Sequence, residues 1–135
     1  MEDTLTIATA EGVRIYAITT KNLVQEAADR HHTSHLATAA LGRAMSGALM
    51  LAATMKDGER ILLKLKGDGP MGEVVAEAQG TSVRGYVGEP DVFMPLKNGK
   101  LDIGGALGKG TITLTRYLQT VSYTHLRAHE TCADL

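Results

Sequence analysis

One stretch restricts the architecture more than any other: Leu36 to Met55, LATAALGRAMSGALMLAATM. At 1.5 Å per residue it makes a helix of roughly 30 Å. Ala37, Leu41, Ala44, Ala48, Ala52 and Met55 recur three or four apart and share a face. The opposite face should be polar in a surface helix, yet it holds Ala39, Gly47, Met50 and Ala53, with Arg43, Ser46 and Thr54 its clearly polar members. A helix apolar almost all round is normally covered on several sides. Seven alanines and two glycines (Gly42, Gly47) keep it thin, so neighbouring layers can come close. About 20 apolar residues could also span a bilayer. Arg43 in the middle and the excess of Ala over Leu and Ile favour a buried helix of a soluble domain.

The flanking segments read as strands. Leu5, Ile7 and Thr9 alternate with Thr4, Thr6 and Ala8. Glu11-Gly12 then gives a turn and Val13, Ile15 and Ala17 resume the alternation, so 4–19 is a hairpin. Leu23, Val24, Ala27 and Ala28 share a helical face, with Asn22 and Gln25 spaced as a capping box. Thr33 or Ser34 is placed to cap the long helix, which Lys56-Asp57-Gly58 should stop. From Arg60 the period returns to two. Ile61, Leu63 and Leu65, then Val74, Ala76 and Ala78, then Val83, Gly85 and Val87 mark a three-stranded meander over 60–88. Asp102 to Gly110 reads as a glycine-rich loop, and Thr111 to Arg116 as a further strand with Ile112 and Leu114 inward. The expected fold is α+β: a layered β/α/β arrangement with the helix, about 34–55 with its cap, between two largely antiparallel sheets, incomplete toward the carboxy-terminus.

At 135 residues the chain suits one core domain, assigned to 1–120. A net charge of −1 gives no electrostatic case for nucleic acid. The acidic start, Met1-Glu2-Asp3, is unlike a signal peptide, so a cytoplasmic domain without a membrane partner is expected. A single cysteine, Cys132, permits neither an internal disulfide nor a multi-cysteine metal site within the chain.

Several motifs invite a chemical reading. KGDGPMG at 66–72 and GGALGKGT at 104–111 resemble phosphate loops, which would make the chain a small nucleotide- or ligand-binding domain or an enzyme. A P-loop, however, has Ser or Thr after its lysine and leads into a helix, whereas Gly110 follows Lys109 and a strand comes next. Turn glycines at positive φ are the simpler account. His31, His32 and His35 cluster between the helices, but no carboxylate or thiol is in register with them. No catalytic, cofactor-binding or metal-ligating residue is therefore assigned. His125, His129 and Cys132 have the spacing of zinc ligands. Yet Val121 to Thr131, VSYTHLRAHET, is similar residue for residue to the translation of a transposase sequencing adapter. Residues 121–135 are accordingly set apart as a non-native tail.

Four stretches carry a family resemblance: LVQEAADRHHTSHLATAALGRAM at 23–45, LKLKGDGPMGEVVAEA at 63–78, VRGYVGEP at 83–90 and LDIGGALGKGTITL at 101–114. In this order the chain resembles the Hsp33 family of redox-regulated chaperones across nearly all of 5–118. The resemblance implies an ATP-independent holdase, not an enzyme, that binds unfolding client proteins under oxidative stress, and it leaves room for a homodimer. It also implies a redox switch made of a carboxy-terminal zinc domain with C-x-C and C-x-x-C cysteines. No position here matches those ligands, so no zinc or other cofactor is expected in this chain.

Overall fold

A computed structural model describes residues 2–119, together with the backbone of 126–134. Strands β1 (Leu5–Ala10) and β2 (Val13–Ile18) form an antiparallel hairpin. Helices α1 (Lys21–His31) and α2 (His35–Ala52) follow. Then come β3 (Arg60–Gly67), β4 (Glu73–Gln79), β5 (Ser82–Val87), α3 (Ile103–Leu107), β6 (Gly110–Gln119) and β7 (Leu126–Asp134). The hairpin is a sheet of its own. The other strands form a five-stranded antiparallel sheet in the order β5-β4-β3-β6-β7. The class is thus α+β with two antiparallel sheets, as the alternation patterns required.

The core lies between α2 and the large sheet. Leu36, Ala37, Ala40, Leu41, Ala44, Met45, Ala48, Leu49 and Ala52 are buried against Ile61, Val74, Ala76, Ala78 and Val87. The alanines matter because they let the helix axis approach the strands. Gly85 completes the fit: a Cβ there would stand 3.0 Å from Leu41 Cδ1 and 2.5 Å from the Val75 carbonyl oxygen. The second layer is thin. The hairpin touches α2 through its open end, where Ile18 packs on the core and the Thr20 and Ser46 hydroxyls lie 2.8 Å apart. Beyond that end the hairpin projects.

Local details depart from expectation in three places. α1 begins at Lys21 with Thr20 as its cap residue, so Asn22 and Gln25 form no capping box. The Asp3 carboxylate caps α1 instead, accepting from the Asn22 and Leu23 amides at 3.2 and 2.7 Å. Long-range capping of this kind leaves no local signature. α2 is capped by Ser34 as expected, its hydroxyl accepting from the Ala37 amide at 3.2 Å. It ends at Ala52, short of Met55, because the Thr54 and Met55 amides tighten onto the Leu51 and Ala52 carbonyls. Finally, the stretch read as a loop contains α3. The Asp102 side chain accepts from the Gly105 amide at 2.9 Å, and burial of Ala106 and Leu107 offsets the weak helix propensity of two glycines.

Candidate functional site

The two glycine-rich stretches meet. The amides of Asp68, Gly69 and Met71 donate to the carbonyls of Lys109, Leu107 and Ala106, each at 2.9 Å, and the Lys109 amide donates to Asp68 Oδ1 at 2.8 Å. A phosphate cradle needs such amides free and convergent. Here they join one turn to the other. A Cβ on Gly67 or Gly110 would overlap the facing backbone, at Leu107 and Lys66 respectively. Positive φ accounts for Gly72 and Gly108 but not for these two. The glycines therefore serve close approach of two chain segments far apart in sequence. The nucleotide-binding alternative loses its physical basis, and Lys109 is an exposed lysine beside that junction.

The histidines separate by role. His31 closes α1, His32 takes the left-handed cap conformation at φ 52°, and His35 opens α2. Among the described residues no group of three His, Cys, Asp or Glu side chains converges on a point. These residues do not fit the zinc that the family resemblance brings with it. His125 lies outside the described residues, and of His129 and Cys132 only the strand backbone is described.

What the described residues do offer is apolar surface. The far side of α2 lines an open groove of about 610 Å³, floored by Ala39, Gly42, Gly47 and Met50 and edged by Arg43 and His35. Arg43 is exposed here. On the hairpin, Ile7, Val13 and Ile15 are each more than half exposed, at 52%, 56% and 53%. In the connection between β5 and α3, Phe93 is 82% exposed, with Leu96 and Leu101 also in solvent. That connection is anchored, since the Ser34 amide donates to the Pro90 carbonyl and the Ser34 hydroxyl to the Val92 carbonyl, both at 2.7 Å. The sequence signal for these groups was available in the apolar character of both hairpin faces and in a lone Phe between two prolines. Reading the strands only as covering layers passed over it.

The outer face of the large sheet contrasts with this. Arg84 Nη2 lies 2.9 Å from Glu77 Oε1, and Lys64 Nζ lies 3.5 Å from Glu73 Oε2. Tyr86 donates to Glu73 Oε1 at 2.9 Å, and the Arg60 guanidinium sits 4.4 Å from the centre of the Tyr117 ring. The Tyr86 hydrogen bond, helped by Lys64, holds the Glu73 carboxyl below its ordinary value, and the same bond pushes the Tyr86 phenol up.

Comparison with known proteins gives a consistent result. The family model described as Hsp33 protein matches residues 3–132. The 33 kDa chaperonin of Nostoc punctiforme is 46% identical over 122 residues, covering 86% of this chain and 40% of the relative. That of Thermodesulfovibrio yellowstonii is 41% identical over 130 residues, covering 93% and 45%. The crystal structure of the 33 kDa chaperonin (heat shock protein 33 homolog) from Thermotoga maritima superposes with a TM-score of 0.81 at 33% identity, over 96% of this chain and 44% of that one. The chain spans less than half the length of these relatives.

Proposed function

Since the chain belongs to the Hsp33 family, we propose that it is the core of an ATP-independent holdase, which keeps unfolding proteins from aggregating by binding their exposed apolar segments. The observation that carries this reading is the grouping of large apolar side chains in solvent, Ile7, Val13 and Ile15 on the hairpin and Phe93, Leu96 and Leu101 beyond β5. Surface of this kind binds other apolar surface without needing a shaped pocket. No reaction is part of this proposal. Residues 2–119 contain no cysteine, and the redox control and zinc that the resemblance implies are proposed to lie outside them. No helix among the described residues is long and apolar enough to cross a membrane, and a cytoplasmic setting is proposed with the chaperone reading. Clients are the partners proposed, with no role for nucleic acid or a membrane and with a homodimer left as an alternative assembly.

Light scattering from a thermally unfolding client protein tests the holdase reading. The chain at stoichiometric amounts should slow aggregation, and hydrogen peroxide should leave that effect unchanged. A folded chain that fails to slow aggregation would sink the proposal. The non-native reading of 121–135 rests on the adapter similarity. On the other side stand the family match, which runs to residue 132, and the pairing of 126–134 with β6. Resequencing the source gene across codon 120 decides it.

A further inference from the structure

The connection between β5 and α3 carries a chemically labile pair. Asn98 and Gly99 form a two-residue turn closed by Lys97 and Lys100, whose amides donate to one another's carbonyls at 2.8 and 3.0 Å. Both turn residues are left-handed, Asn98 at φ 53° and Gly99 at φ 74°, as this kind of hairpin turn requires. All four residues are exposed. The closing hydrogen bonds use main-chain groups of Lys97 and Lys100 only, so the Gly99 nitrogen takes no part in them. A Cβ on Gly99 would meet nothing within 4 Å, so the space beside that nitrogen is open.

The comparable sites in the chain are tied down. Asn22, the other asparagine, is followed by Leu23, whose amide donates to Asp3 Oδ2 at 2.7 Å within α1. At Asp68-Gly69 the glycine amide donates to the Leu107 carbonyl, and the Asp68 carboxylate accepts from the Lys109 amide. Asp57-Gly58 offers a carboxyl group in place of a carboxamide, and a carboxylate is the poorer electrophile.

We infer that Asn98 is a site of spontaneous deamidation, with Gly99 supplying the nucleophile. The Gly99 nitrogen attacks Asn98 Cγ; the new C–N bond forms, the Cγ–Nδ2 bond breaks, and ammonia leaves with the proton of the Gly99 amide. Water then opens the five-membered succinimide at one carbonyl or the other, giving aspartate or isoaspartate. No electrons are exchanged, and water is the sole co-reactant. Ring closure takes Asn98 out of its turn conformation, so the Lys97–Lys100 bridge must open first. Two main-chain hydrogen bonds in an exposed connection resist this only weakly. Either product moves the formal net charge from −1 to −2 and sets a carboxylate between Lys97 and Lys100. The isoaspartate route also adds a carbon to the main chain, which a two-residue turn cannot absorb. The change falls in the segment that carries Phe93, Leu96 and Leu101. The reaction takes place within one turn and does not depend on the holdase reading.

Incubating the full chain in mildly alkaline buffer, then digesting it with an aspartate-specific protease for mass spectrometry, tests the assignment. Fragment 91–101 should gain the mass difference between an amide and an acid. The aspartate product is cut again before residue 98, whereas the isoaspartate product stays whole and accepts a methyl group from an isoaspartyl methyltransferase. Conversion should run on the order of tenfold slower than in the free peptide 91–101, reflecting the opening of two main-chain hydrogen bonds. Asn22 should stay intact while α1 is folded, as followed by circular dichroism. Asn98→Gln, whose longer side chain disfavours ring closure, should release almost no ammonia. Ammonia release from Asn98→Gln at the rate of the unaltered chain would place the reaction elsewhere and overturn the assignment. So would an amide at position 98 that outlasts the free peptide by more than roughly a thousandfold, beyond what two hydrogen bonds can impose. Deamidation of Asn22 in the folded chain as fast as that of Asn98 would show that residue type, and not the turn, sets the reactivity, and would overturn it equally.

Discussion

The two sheets are built from the same alternation of apolar and polar residues, and they manage their surfaces in opposite ways. The large sheet buries one face under α2 and covers the other with Arg60, Lys64, Glu73, Glu77 and Arg84, each within 4 Å of an opposite charge. The hairpin carries apolar residues on both faces. Leu5, Ile7, Tyr16 and Ile18 share one, and Ala8, Ala10, Val13 and Ile15 share the other. A two-stranded sheet is marginally stable by itself. Apolar surface on both its faces therefore adds little to folding, since Ile7, Val13 and Ile15 are each more than half exposed. The contrast places most of the stabilising burial in the large sheet and most of the exposed apolar surface of the strands in the hairpin.

The largest expected effect breaks that contrast directly. Leu41→Ala leaves a cavity beneath the large sheet, where the side chain is 1% exposed, and should cost about 2–5 kcal/mol in chemical denaturation. Ile15→Ala on the hairpin should cost less than about 1 kcal/mol, because the residue gives up strand propensity and little burial. Equal losses at the two positions would mean that the hairpin is as firmly embedded as the core.

The sequence made the large sheet and α2 legible because their patterns are local. Ile61, Leu63 and Leu65 announce a strand, and Ser34 sits where a cap belongs. The features that escaped it depend on distant partners. Asp3 reaches the start of α1 across 19 and 20 positions, and α3 forms because the Asp102 carboxylate and the buried Ala106 and Leu107 outweigh glycine propensity. The glycine stretches were recognisable as turns. Their mutual packing was invisible, since Gly67 and Leu107, far apart in sequence, are brought together where β3 pairs with β6. The apolar surface was missed differently: Ile7, Val13 and Ile15 were read only as strand formers of a covering layer, and Phe93, Leu96 and Leu101 were not singled out.

A smaller effect tests the charged face. Arg84 is the exposed partner of Glu77, so Arg84→Ala should cost about 0.2–1 kcal/mol at low salt, and the difference should shrink as salt is added. A loss unaffected by salt would point to packing of the arginine stem in place of charge pairing.

The smallest effect concerns Tyr86 and Glu73, and its sign differs at the two ends of the pH scale. The Glu73 carboxyl is held below its ordinary value of 4.5, chiefly by the Tyr86 hydrogen bond. Its contribution is fully present above pH 4.5 and is lost as pH falls through the lowered folded value. The Tyr86 phenol is raised above 10.0 by the same bond, so its contribution is present below pH 10.0 and disappears as pH rises through the raised value. Tyr86→Phe removes both. The stability gap between the native chain and this variant should be widest on the plateau between these limits and should narrow toward acid and toward alkali, as read from urea midpoints across the range. Tyr86 and Glu73 are both partly solvated, so the gap should stay well below that of Leu41→Ala at every pH. A gap that is flat with pH would show that the hydroxyl is not bonded to an ionised carboxylate, and the outer face would lose one of the polar contacts that set it apart from the hairpin.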